Sequence, residues 1–213
     1  MKKYQLRNIA FGIALIAISA IVLTLVRPLL SNTNSYIYMN WNLFLGLLPL
    51  LFAALFSKKI GGRYLGYLWF ALWIGFLPNA PYMITDLIHI ADVGPKNILW
   101  MDSIMLFGFA WIGMISWLQS VTIMYRKLSF RSFIPVVSLL TAIGLYLGRY
   151  IRFNTWDALT QPLEVLRTVF DVFLHPLNHD PFLLFTLVFW VFLMLSYVGY
   201  HHLYYLLPKQ KNQ

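Results

Sequence analysis

Three groups of polar residues in this 213-residue chain have types and spacing suited to chemistry. The first is Asp86-x-x-His89-x-x-Asp92, with Asp102 ten residues on. On one helical face, carboxylate and imidazole could bind a divalent metal, with Asp86, His89 and Asp92 as ligands. Alternatively, Asp86 could orient His89 and raise its basicity for acid–base work. The catalytic candidates are therefore Asp86, His89 and Asp102. The bland alternative is a solvated polar face.

The second group is Arg149 and Arg152, three residues apart and just past the small pair Gly144 and Gly148. Two guanidinium groups on one face could clamp phosphate, carboxylate or a lipid headgroup. They could equally pair with Asp86, Asp102 or Asp157 and fix a helix bundle, or snorkel to headgroups. The third group is His175-x-x-x-His179-Asp180. Pro176 breaks any helix between these histidines, which argues against a simple i, i+4 metal pair.

The surroundings of these residues are those of a membrane protein. Hydrophobic residues make up 60% of the chain and charged ones 11%, where a soluble domain has about 25% charged. A freely soluble domain and a disordered chain are both excluded. No cysteine is present, which removes thiol catalysis, iron–sulfur clusters and c-type haem attachment. A haem-spaced histidine pair, a Gly-x-Ser-x-Gly motif and an internal repeat are also missing.

A membrane-crossing helix needs about 20 mostly apolar residues. Six runs qualify, at about 9–26, 41–56, 60–77, 98–123, 133–150 and 182–207. The expected fold is all-α: a single integral membrane domain over 1–213 with six transmembrane helices. The run before Arg27 and Pro28 is too long for a signal-peptide core and has no Ala-x-Ala-like site, so it reads as an uncleaved first span.

With the N-terminus inside, 11 of the 16 basic residues fall in inner segments, as the positive-inside rule requires. The C-terminus is then inside as well. Arg27, Lys96, Arg149, Arg152 and Arg167 fall outside. Basic residues grouped at span ends explain the net charge of +9 without a nucleic-acid partner. All seven acids lie on or near the outer side. Topology does not demand this, because acids contribute little to orientation.

Two further segments have helical periodicity but are too short to cross. Pro81–Asp92 places Thr85, Asp86, His89 and Asp92 on one face, and Asn79 suits a turn or cap before it. Pro162–His175 carries a narrow stripe of Glu164, Arg167, Thr168, Asp171 and His175. Both are expected as amphipathic helices on the outer face, the first either lying in the interface or re-entering the bundle. Glu164 with Arg167, and Arg167 with Asp171, are expected as local ion pairs.

Four stretches together resemble a known family. They are Trp41-Asn42-Leu43-Phe44; Leu77-Pro78-Asn79-Ala80-Pro81-Tyr82 running into Thr85-Asp86-Leu87 and His89; Trp100-x-Asp102; and Gly148-Arg149-Tyr150-x-Arg152-Phe153-Asn154-x-Trp156-Asp157. The chain over roughly 40–160 resembles the bacterial membrane family called domain of unknown function 1361. The resemblance implies a multi-pass protein of the bacterial inner membrane and no particular activity.

The functional expectation is an outward-facing polar pocket where Asp86, His89, Asp102, Arg149, Arg152 and Asp157 converge. Asn79, Arg149, Arg152, Asn154 and Asp157 are its candidate ligand-binding groups. The ligand would be anionic or lipid-linked, and the residues do not name a reaction. The alternative is a non-enzymatic subunit or assembly factor, bound to another membrane protein, whose charges are structural pairs. A small-solute carrier ranks third, because no ionisable residue falls in the middle of a span.

Overall fold

A computed structural model describes residues 3–31, 33–91, 96–128, 130–153 and 157–206. Among the described residues there are nine α-helices and no strand. They are α1 (Lys3–Ser31), α2 (Tyr38–Ser57), α3 (Gly62–Phe76), α4 (Asn79–Thr85), α5 (Leu99–Leu128), α6 (Phe133–Tyr146), α7 (Asp157–Thr160), α8 (Pro162–Leu174) and α9 (Phe182–Leu206). The chain forms two compact units, 1–123 and 124–213, with the boundary inside α5.

Five helices are long and apolar enough to cross a membrane: Phe11–Ser31, Tyr38–Ser57, Lys96–Leu128, Phe133–Ile151 and Phe182–Leu203. The expected third span at 60–77 is different. Its helix α3 has 15 residues, about 22 Å of rise, short of the ~30 Å hydrocarbon core. It is interrupted at Leu77 and Pro78, and α4 then begins at Asn79. Both Leu77 and Pro78 keep right-handed helical angles, so the interruption does not reverse the chain. Pro78 and Pro81 each lack a backbone N–H, which breaks the hydrogen-bond ladder there. A 3-10 turn, Asp86–Ala91, continues α4.

The broken segment runs antiparallel along the whole of α2. Phe56 lies beside Phe70, and Phe52 beside Trp69 and Phe76. Further along, Asn42 bonds Asp86, and the Tyr36 hydroxyl, just before α2, donates to the His89 carbonyl at 2.8 Å. The described part of the expected polar segment, 81–91, therefore continues α3 and lies along α2. Small residues make the close packing possible. A Cβ on Gly113 of α5 would lie 2.0 Å from the Ala80 carbonyl oxygen, and one on Gly46 of α2 would lie 2.9 Å from Met83 Cε. The Gly46 carbonyl also accepts a 2.7 Å bond from Ser116. Met39, Leu43, Met83, Met105, Leu106, Phe109 and Ile112 fill the core between these helices.

In the second unit, α6 and α9 pack together. Trp190 Nε1 donates to the Pro135 carbonyl at 2.9 Å, and Tyr146 meets the edge of Phe182. Val172 of α8 joins Tyr146 and Phe182 in a small core. After Tyr146 the helix widens into a π turn, Leu147–Ile151.

Candidate functional site

The densest buried polar cluster described in the first unit joins the C-terminal end of α1 to the start of α5. Arg27 and Asp102 form a two-pronged ion pair, Nε to Oδ1 at 2.7 Å and Nη2 to Oδ2 at 3.0 Å. Their side chains are 1% and 0% exposed. Arg27 lies inside α1, which continues through Pro28 to Ser31, past the expected end at Val26. The guanidinium also donates to the Thr33 hydroxyl at 2.9 Å and sits 4.5 Å from the centre of the Tyr36 ring. Buried charge is tolerated only when paired and hydrogen-bonded, and Arg27 meets both conditions. Asp102 is thus held in an ion pair, an arrangement that suits a positioning role. Its partner is Arg27, which the sequence reading treated only as a topology marker.

Asp86 begins the 3-10 turn and is 2% exposed. Asn42 Nδ2 donates to its Oδ2 at 3.3 Å. With three residues per turn, a 3-10 helix aligns positions i and i+3, so Asp86 and His89 share a side. His89 is half-buried, and its carbonyl is held by Tyr36. Tyr36 thus links the two halves of this end of the unit, lying against Arg27 and bonding the His89 backbone. Asn79 stands apart, near Gly46 at mid-α2. Its amide donates to the Phe76 carbonyl, so it supports the helix break and does not cap α4, whose N-cap is Pro78.

Asp92, the third metal candidate, lies outside the described residues. Among the described residues no group of three His, Asp or Glu is placed to hold a metal ion. A groove of about 240 Å³ in this unit lies between α1 and α5, lined by residues that include Ala20, Leu23, Phe107 and Trp111. It is apolar and contains none of the candidate residues.

In the second unit, Arg149 sits within the π turn and Arg152 follows it. Arg152 has a left-handed backbone, φ 64° and ψ 29°, and its N–H bonds back to the Leu147 carbonyl. The two arginines therefore do not share a regular helical face. Arg149 is half-buried and Arg152 exposed. Asp157, half-buried, opens α7. Asn154 lies outside the described residues.

A different cluster stands at the end of α8. Asp171 does not look to Arg167. Its Oδ1 bonds His175 Nδ1 at 2.9 Å, and its Oδ2 bonds His179 Nε2 at 2.7 Å. Bonds from His179 and then His175 hold the Asp171 carboxyl below the usual carboxylate range. Pro176 starts a 3-10 turn, Pro176–Asn178, that brings His179 back over the helix end.

The family model for DUF1361, a protein family of unknown function, matches residues 41–196. The chain belongs to the DUF1361 family. The match runs past the 40–160 stretch that carried the resemblance and reaches well into α9. Within the DUF1361 region lie Asp86, His89, Asp102, Arg149, Arg152 and Asp171, while Arg27 lies before it. No curated protein and no solved structure matches the chain.

Proposed function

We propose that this DUF1361 protein binds an anionic or lipid-linked ligand at the extracytoplasmic face of the bacterial cell membrane. In this reading α3, α4 and the 3-10 turn together make a third crossing beside α2. That gives six passes with both termini inside. Five passes would put the termini on opposite sides and move Lys209 and Lys211 outward, against the positive-inside rule. The pairing of this composite with α2 from Phe56 to Tyr36 supports it. The helix α8 then lies in the outer interface.

The observation that carries the ligand reading is Arg152. An arginine in the left-handed region is uncommon, and π turns occur often at functional sites. Such strain persists only where the surrounding structure over-determines it, and it clusters at ligand clamps and switch regions. Arg152 presents an exposed, permanently charged fork suited to phosphate or carboxylate. In the first unit, Asp86 and His89 are the groups for acid–base work, and the Arg27–Asp102 pair backs the 3-10 turn that bears them through Tyr36, which lies on Arg27 and bonds the His89 carbonyl.

Thermal stability of the purified protein tests the binding, with inorganic pyrophosphate and short-chain phosphatidylglycerol as probes. Stabilisation of the wild type by either probe, lost in Arg152→Gln, is expected. No shift with either probe, or a shift unchanged in Arg152→Gln, would overturn the reading. The second reading, a scaffold of structural ion pairs, draws on the Arg27–Asp102 geometry. A stable complex with another membrane protein would favour it.

A further inference from the structure

The helix α8 has three flanks. Val165, Thr168, Val169 and Val172 face the protein and are half-buried or buried. Leu163, Leu166, Phe170, Phe173 and Leu174 form an exposed apolar flank. Glu164, Arg167, Asp171 and His175 form an exposed polar one. The apolar flank leads through Leu177, 85% exposed, to exposed Leu183, Leu184 and Leu187 at the start of α9. Since α9 is long and apolar enough to cross a membrane, the surface continuous with it is the bilayer boundary.

We propose that the Asp171–His175–His179 clasp makes α8 an acid-responsive anchor on an anionic bilayer surface. This rests on the interfacial placement of α8 given above. Each imidazole can donate one N–H to the carboxylate while neutral. On taking a second proton it becomes a cation and its bond to the carboxylate becomes charge-assisted and stronger. The clasp therefore stays closed while the charge beside the membrane changes. Histidine is the side chain suited to such a change near physiological pH.

The charged neighbours set the sign. Glu164 and Arg167 lie on α8, Asp157 on α7, and Asp180 in the turn that follows His179. Across the 3-10 turn, the Tyr146 hydroxyl of α6 faces the His179 carbonyl at 3.4 Å. From Phe182 to Phe192, α9 has no ionisable residue. The π turn, whose Leu147 and Ile151 pack on the same core as Val172, carries Arg149 and is followed by Arg152. With neutral imidazoles Glu164, Arg167, Asp157, Asp171, Asp180, Arg149 and Arg152 sum to −1. Two added protons bring the sum to +1. Repulsion from an anionic leaflet gives way to attraction, and the exposed His175 gains a cation for headgroup phosphate. Each charge near such a surface changes occupancy by roughly fivefold.

Because the chain has no cysteine, Leu177→Cys gives a single labelling site in the full protein. An environment-sensitive fluorophore there reads insertion in bilayer discs of phosphatidylglycerol with phosphatidylcholine, or of phosphatidylcholine alone. The expected result is a blue-shifted, quencher-protected state that grows between pH 7.5 and 5.5 only in the anionic discs. His175→Gln with His179→Gln should abolish the growth. No growth in the anionic discs, equal growth in both lipids, or growth that survives the double variant would overturn the proposal. The lipid comparison uses wild-type histidines, so it stands if the double variant fails to fold. A label protected at pH 7.5 in neutral discs but indifferent to pH would leave α8 at the interface and reject the acid response alone. A label unprotected in every disc would reject the interfacial placement itself.

Discussion

Removing either partner of the Arg27–Asp102 pair strands a charge in a site with 1% or 0% exposure. Asp102→Asn keeps the shape and removes the countercharge. Breaking one side of a buried pair costs about 3–5 kcal/mol. For a chain of this length that corresponds to a fall in melting temperature of about 6–20 °C, at about 2–4 °C per kcal/mol. Arg27→Leu should cost at least as much, because it also loses the Thr33 bond and the Tyr36 face, the latter about 0.5–2 kcal/mol. Arg27→Leu with Asp102→Leu leaves no orphan charge and should recover most of the loss, since apolar replacement of a whole buried pair is often neutral. Thermal unfolding in detergent of the wild type, Arg27→Leu, Asp102→Leu and the double leucine variant closes the double-mutant cycle, with Asp102→Asn measured beside them. Additive losses, or an Asp102→Asn variant that melts with the wild type, would refute the buried-pair account.

Two further outcomes follow from the geometry. Gly113→Ala should melt well below wild type in the same assay, because its Cβ meets the Ala80 carbonyl at 2.0 Å, whereas Gly66→Ala has nothing within 4 Å and should be neutral or better. The Asp171 carboxyl is held below the usual range by its histidine bonds. Its contribution is therefore complete above the unfolded carboxylate value and is lost as pH falls through the lower folded value. Pepsin cleavage around 175–181 should accordingly stay slow in the wild type until pH falls below the ordinary carboxylate range. The Asp171→Ala variant should be cut readily throughout, and equal rates at pH 4 would contradict this.

Long apolar runs made five helices of membrane-crossing length legible, since each run supplies the roughly 20 apolar residues a crossing needs. The third was legible as apolar but not as broken. Pro78 and Pro81 were visible, yet whether proline ends a helix or interrupts one depends on its neighbours. Here α2 and α5 hold the segment in line through Gly46 and Gly113. The amphipathic period of α8 was readable because it rests on local spacing. The Arg27–Asp102 pair was not, because its members are 75 positions apart. The one signal was an arginine on the outer side, against the positive-inside bias, with no acid nearby in sequence. The π turn before Arg152 left no local mark, because it is a property of packing rather than of propensity. Asp171 had His175 and His179 within reach by spacing, but Pro176 suggested separation where the 3-10 turn instead brings them together.

The functional reading depends most on which side of the membrane the strained arginine faces. Arg152→Cys supplies the sole thiol in the chain, and a membrane-impermeant maleimide applied to intact spheroplasts reads its side. Labelling before permeabilisation is predicted, with Lys127→Cys labelled only afterwards. Labelling of Arg152→Cys only after permeabilisation would place the candidate site in the cytoplasm and contradict the account.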